Sequence, residues 1–409
     1  MVMGLVSLFA DAAYESARGI VGAYLGQLGA TAAVVAVATG GGELLGNLLR
    51  YGSGALGDRT GRHWLLTGLG YSAGLLAVPA MGLAASWPAV VALVFVERFG
   101  KGLRAPARDV LLSRAAELAG PGRTFGMHEA LDQIGAIAGP LAVGAILAGG
   151  RGYAHALRWL AIPALAALAL LAAARYLYPA PHLFVSARRR RRRRTNGLAW
   201  APPEATASGP AKDPSALPAS VSPTTFRLYV LGVSLAAAGL ADFALVAFHA
   251  ERLSLLRPSL IPVVFASAMA ADAVSALGFG SMFDKSGLSV LSVATGLGSI
   301  YAAFAFSSSA PLLFLGALLW GVSLGAQESV MRSAVVSLVP LSRRGHSYGV
   351  VGMWYGLAWF AGSVTLGFLY GIGRTVLAAF SIACELAAAL MFLIVRNRAR
   401  RELPRLSGV

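Results

Sequence analysis

Gly54-Ala55-Leu56-Gly57-Asp58-Arg59-Thr60-Gly61-Arg62-His63 lies between two long apolar segments and packs an acid, basic side chains and glycines into one short stretch. Two apolar helices that reverse direction at a membrane surface need glycine for the turn, and Arg59 and Arg62, with His63, hold that turn on the cytoplasmic side. Asp58 stands out among them. A carboxylate at the end of a membrane helix is costly unless it meets a cation or the N-terminus of another helix, so Asp58 is expected to dock on a neighbouring element. The competing reading is a solvated basic turn.

The spacing recurs in the second half of the chain, where Gly280-Ser281-Met282-Phe283-Asp284-Lys285-Ser286-Gly287 repeats G-x-x-x-D-[RK]-x-G. Such self-similarity points to internal duplication. The pair resembles the signature loops between the second and third, and the eighth and ninth, helices of the major facilitator superfamily of transporters. The first copy is close to that pattern, with His63 in place of the usual second basic residue. The second is degraded, with Leu288 and Ser289 where the family has basic residues, which implies weaker docking there.

Composition fixes the class independently. The chain has 409 residues, 57% hydrophobic and 13% charged, with a mean hydropathy of +0.68. That is too apolar for soluble domains and reads as an integral membrane protein. A net charge of +16 would suggest nucleic acid in a soluble protein. Here the arginines fall mostly in loops between apolar segments, where they set orientation, and no nucleic-acid partner is expected. Cys384 is alone in the chain and rules out a disulfide or cysteine metal framework within it. The first apolar segment carries Asp11, Glu15 and Arg18 in its middle and reads as a retained helix, not a cleaved signal.

A bilayer crossing takes about 20 apolar residues, and turn signals cut the chain into twelve segments of about that length: 2–27, 31–56, 63–85, 88–113, 124–148, 155–178, 225–251, 258–283, 288–308, 311–338, 345–371 and 373–396. The expected organisation is an all-α, twelve-helix protein with a six-helix bundle over 1–178 and another over 225–396, a linker at 179–224 and a tail at 397–409. The linker carries the run Arg188 to Arg194 followed by Pro202, Pro203, Pro210, Pro214 and Pro218. Such a segment cannot bury a core, is expected to be disordered, and attracts anionic lipid headgroups. Basic loops after Leu56, Ser113, Tyr178 and Val339 share one side with the C-terminal arginines, so both termini are expected in the cytoplasm of a multi-pass plasma (inner) membrane protein. Arg151, Arg158, Arg252, Arg257 and Arg374 are minor exceptions. The halves also match where Arg123-Thr124-Phe125-Gly126, with Gly139 and Gly144, lines up with His346-Ser347-Tyr348-Gly349, with Gly362 and Gly367.

Ionisable residues inside membrane helices are expensive, and each is by default a functional candidate. Asp11, Glu15 and Arg18 share one helical face near the midplane. Glu43 and Arg50 are similarly spaced in the second segment, Glu97, Lys101, Arg104 and Arg108 form a stripe along the fourth, and Glu129 and Asp132 lie within one turn in the fifth. One reading is mutual neutralisation of acids from helices one, two and five by Arg98, Lys101 and Arg104. The other is proton coupling by Asp11, Glu15, Glu43, Glu129 or Asp132, because a midplane carboxylate can alternate between protonated and ionised forms as a cavity opens to either side. Tyr355 and Trp359, spaced i, i+4 in the eleventh segment, form a candidate apolar cavity wall beside Arg18, Arg98, Lys101 and Arg104.

Two local patterns extend the resemblance. Arg98-Phe99-Gly100-Lys101-Gly102 resembles the superfamily's fourth-helix R-x-x-x-G motif, whose arginine is associated with proton handling; Lys101 stands where many members have glutamine. Gly135 to Gly144, with Gly139 and Pro140, resembles the fifth-helix glycine-proline motif of the family's antiporters, and proline there supplies a bend about which a half can flex. No nucleotide-binding loop occurs, so transport runs on gradients. The expectation is a monomeric secondary transporter, neither enzyme nor cofactor-dependent, that works by alternating access. Proton-coupled efflux of a small molecule is the first reading. Anionic-solute uptake or a facilitator is the second, and a non-transporting polytopic membrane protein the third.

Overall fold

The computed structural model describes residues 2–119, 121–179, 221–340 and 343–402, apart from the side chains of 114–126, 332 and 345. The arginine run Arg188 to Arg194 and the linker expectation attached to it lie outside the described residues. What is described is helical and crosses back and forth twelve times. The first five spans are Val2–Gln27, Ala32–Thr60, His63–Met81, Trp87–Ala119 and Pro121–Ala148. The sixth is broken into Tyr153–Trp159 and Ala161–Leu177, the seventh into Pro223–Gly239 and Phe243–Arg252, and the ninth into Ser289–Gly298 and Tyr301–Ala305. The eighth, tenth, eleventh and twelfth are Leu260–Ser286, Ala310–Leu338, Arg344–Ile372 and Arg374–Glu402.

Among the described residues, nine of these stretches are long and apolar enough to cross a membrane. The other three are the first and fourth spans, which carry the buried charges, and the short ninth. Large apolar side chains project outward along the bundle: Val274 and Leu277 of the eighth span are 72% and 79% exposed. A surface of that kind suits lipid, and the helices satisfy their own backbone hydrogen bonds as a bilayer requires.

Several boundaries differ from expectation, the fourth span for one running to Ala119 beyond its expected end at 113, and two of them matter here. The stretch Gly54 to Thr60 is not a loop but the last two turns of the second span, and only Gly61 and Arg62 lie between helices. Gly61 has φ 66° and accommodates the reversal, as Gly287, with φ 59°, does in the second copy. Residues 397–402 are not tail but the end of the twelfth span. Glu402 is fastened there, accepting bonds from the Ser222 N–H (2.7 Å) and from the Ser222 and Thr225 hydroxyls (2.9 and 2.8 Å) at the start of the seventh.

The two six-helix halves meet on the face remote from the chain termini, called here the far face. There the first span packs on Phe243–Arg252, the second on the eleventh and the fifth on the eighth. A single buried apolar cluster crosses that junction and includes Leu25, Phe243, Phe265 and Trp320. Gly22 makes the closest approach: a Cβ there would lie 2.8 Å from the Ala244 Cα and nearer still to its carbonyl. A second cluster, around Tyr229, Val330 and Phe392, stays within the second half near the termini. Gly139 lets the fifth span seat on the first, since a Cβ would meet the Ser16 hydroxyl at 2.6 Å, and the helix runs on through Pro140.

Candidate functional site

A cavity of about 360 Å³ lies between the halves. Arg18 and Trp359 line its deep end, and Arg50, Val335 and Tyr348, each near the termini-side end of its helix, line its mouth. The cavity therefore opens on the termini face and is closed on the far face by the packing just described. Lys101 and Glu43 contribute from the first half, Gln327, Glu328 and Tyr355 from the second.

At the deep end the seventh span is interrupted. Between Gly239 and Phe243 the backbone leaves the helix, and its polar groups are taken up by side chains of other spans. The Gly239 carbonyl accepts from Tyr301 (3.0 Å) and Ser381 (2.7 Å), and the Ala241 carbonyl accepts from the Trp320 indole (2.7 Å). The Ala241 N–H donates to the Tyr301 hydroxyl at 2.6 Å. Non-helical backbone survives at membrane depth only with such partners. Asp242 then caps the outer piece by accepting from the Ala244 N–H at 3.0 Å, while its second oxygen lies 3.7 Å from Arg18. Arg18 also sits 3.5 Å from Glu15 and 5.8 Å from the centre of the Trp320 ring. At the opposite end of the same outer piece, Tyr153 of the first half donates to Glu251 at 2.6 Å. Phe243–Arg252 is thus fastened to the first half at both ends.

The charges of the first half sort into three groups. Arg98 is buried behind the cavity wall, ion-paired with Glu43 at 2.6 Å and Glu97 at 3.1 Å. Arg104 is not a cavity residue: it is 2% exposed and lies between the rings of Tyr71 and Tyr14, at 4.1 and 5.0 Å, an arrangement that holds a guanidinium without a carboxylate. Lys101 lines the cavity and forms no ion pair with the described residues. Nearer the termini, His128 lies 3.6 Å from Asp132 and 3.3 Å from the Ser7 hydroxyl, while Asp11, one turn beyond Ser7, is half-buried without an ion pair among the described residues. Glu129 instead is exposed and accepts a hydrogen bond from Gln133 at 3.5 Å.

The structure brings Arg18, Glu43, Lys101, Tyr355 and Trp359 to one cavity. It leaves Asp11, Glu129 and Asp132 outside the lining and places Arg98 behind it. Tyr355 and Trp359 do form a wall, with ring centres 5.7 Å apart. Asp58 is exposed and forms no ion pair or hydrogen bond with the described residues, so the docking expected of it is not made in this conformation, in which the termini-side ends of the halves are apart. Arg59, Arg62, Asp284 and Lys285 are exposed as well, and nothing packs near Gly280; His63 is buried and opens the third span. Gly54 faces Pro106 of the fourth span. Sequence reasoning missed Asn47 and Gln327 in the lining, although an amide within an apolar run is a usable signal. It also missed Tyr14 and Tyr71, whose role depends on where Arg104 falls.

Two pseudo-equivalent six-helix halves around a central cavity, with a discontinuous helix at its apex, define a secondary-transporter fold. The chain belongs to the Major Facilitator Superfamily, whose family model matches residues 3–362. It is 40% identical over 396 residues to the uncharacterized protein Rv2265 of Mycobacterium tuberculosis, covering 97% of this chain and 92% of the relative. A shorter match, 28% over 138 residues and 34% of each chain, is to the uncharacterized MFS-type transporter MJ1317 of Methanocaldococcus jannaschii. Among solved structures, the peptide transporter POT in complex with sulfate superposes with a TM-score of 0.71 at 16% identity, over 98% of this chain and 94% of that one. The nucleoside transporter NupG gives 0.70 at 13% identity, over 97% and 98%. At such identities the likeness is one of fold. The protein is a multi-pass membrane transporter of the secondary type.

Proposed function

We propose that this transporter exports a small organic solute in exchange for protons, and that its cavity here faces the cytoplasm. The observation that carries the reading is a cavity reaching mid-membrane from the termini face while the far face is closed by the first and seventh spans. Arg59, Arg62, Arg343 and Arg344, with the C-terminal arginines as far as Arg401, lie on the open face, which the positive-inside rule reads as cytoplasmic. Proton exchange is supported by carboxylates that form no ion pair with an arginine or lysine among the described residues: Asp11 has no ion pair, and the ion-pair partner of Asp132 is a histidine, at 3.6 Å. Such groups can take up a proton when closure removes them from water, because an unpaired charge is costly there.

The test uses purified protein in vesicles with a pH-sensitive dye trapped inside. Solutes are added from a panel spanning anions, cations and neutral compounds. Solute-dependent proton movement, abolished when the lumen and bath are equilibrated with an uncoupler, is the expected result. Solute movement without any proton flux would make the protein a facilitator.

A further inference from the structure

The two walls of the cavity differ in chemistry, and the difference specifies a ligand. On the first-half wall the cations Arg18, Arg50 and Lys101 stand against one carboxylate, Glu43. That carboxylate is committed to Arg98 at 2.6 Å. Lys101 is half-buried and turned to the cavity, with no ion pair or hydrogen bond to the described residues. Arg18 keeps its two carboxylates at 3.5 and 3.7 Å, well beyond the distance of a charge-assisted hydrogen bond, and its buried Nε makes no hydrogen bond among the described residues. On the opposite wall Tyr355 and Trp359 form a flat aromatic surface, tilted 32° to one another. Beside it the buried indole N–H of Trp359 and both amide atoms of Gln327 have no hydrogen-bond partner among the described residues. Glu328 is on this wall too, already engaged by other groups of the protein.

We infer that the transported solute is an organic anion with a flat apolar body. Its carboxylate, or a comparable anionic group, meets Lys101 and Arg18, its ring lies on Tyr355 and Trp359, and a polar substituent pairs with the Trp359 N–H or the Gln327 amide. This assignment rests on the transport reading and deepens it. A lysine turned to a cavity that is closed at its deep end attracts an anion more strongly than one in bulk water, and with no ion pair to a described carboxylate none must first be displaced. An aromatic wall adds face-to-face contact that a small inorganic anion cannot use. A cavity of about 360 Å³ has room for one or two fused rings.

The experiment compares three probes with the same ring system and different head groups: naphthoate, naphthamide and naphthylmethylamine. Each is titrated into the purified full-length transporter in detergent by isothermal calorimetry. Naphthoate is expected to bind about tenfold or more tightly than the other two, the equivalent of one hydrogen bond to a charged group. Lys101→Gln is expected to remove that preference and Lys101→Arg to restore it. Tyr355→Leu is expected to weaken naphthoate while leaving the carboxylate preference intact, which separates the ring contact from the charge contact. Tighter binding of the amine, equal binding of all three, or a preference untouched by Lys101→Gln overturns the anion assignment. Counterflow of the same probes in vesicles is read separately. Movement of the amine or amide with no movement of naphthoate leaves a transporter with a different substrate, whereas calorimetric binding with no counterflow of any probe counts against the transport reading itself.

Discussion

Gly22→Ala tests whether the far-face seal is an alternative state or a permanent part of the fold. The glycine lies where the first span presses on Phe243–Arg252, and the added methyl would sit 2.8 Å from the Ala244 Cα and closer to its carbonyl. Both contacts are backbone, so no side chain can swing aside. The halves must separate locally by something over an ångström, or the closed arrangement must give way. Overpacking of this kind costs about 1–3 kcal/mol. If the opposite state parts these two helices, the whole penalty falls on the far-face-closed conformer and shifts the equilibrium about 5- to 150-fold towards the far-face-open one. The assay is distance measurement by double electron–electron resonance between spin labels on exposed positions of the two halves near the termini, such as Tyr51 and Met282. The expected result is a shortening of that distance in Gly22→Ala with unchanged thermal stability. Gly135→Ala is the control, because its methyl would strike Leu8 of the first span within one half, and it should lower stability without moving the labels. A wild-type distance distribution in Gly22→Ala, with lowered stability, would refute the reasoning.

Glu43→Gln leaves Arg98 with Glu97 alone and is expected to cost about 3 kcal/mol, the low end for breaking a buried pair; thermal unfolding in detergent measures it, and Arg98→Met in the same chain should recover most of the loss. Asp11→Asn and Asp132→Asn, made singly, are expected to reduce gradient-driven solute accumulation in at least one case while exchange down a gradient continues, and full accumulation in both would place coupling elsewhere. If an anion leaves as a proton enters, each cycle moves two positive charges inward, so an inside-negative potential of 100 mV contributes ~4.6 kcal/mol, roughly three powers of ten in the attainable solute gradient. Valinomycin-imposed potassium potentials in vesicles should therefore accelerate transport, and indifference to them would contradict that stoichiometry.

The twelve spans were legible because crossing a bilayer demands a run of apolar residues that no soluble fold requires. The twofold repeat was legible because Gly61 and Gly287 both need positive φ, which keeps glycine at the same point in each motif. Arg18, Lys101, Tyr355 and Trp359, offered by the sequence as cavity candidates, line the cavity, and Glu43, read from the sequence only as a proton-coupling candidate, lines it beside them. The break in the seventh span was not legible, since Leu240, Ala241 and Asp242 include no proline or glycine. It exists because Tyr301, Ser381 and Trp320, all distant in sequence, supply hydrogen bonds that compete with the helix. Arg104 misled for a related reason. Its place on the charged stripe of the fourth span gave its depth, but two tyrosines from other helices decide that it faces inward, away from the cavity.

Trp320 donates its indole hydrogen to the broken backbone of the seventh span, packs against Phe243 and Phe265, and lies beneath the Arg18 guanidinium. It is fully buried at the joint where the halves touch. The molecule therefore carries its own optical gauge of the transport cycle. In the present state that indole is dry and bonded and its emission is expected towards the blue; parting of the joint would wet it and move the emission to the red. A chain in which Trp320 is the sole remaining indole would report each turnover by its colour alone.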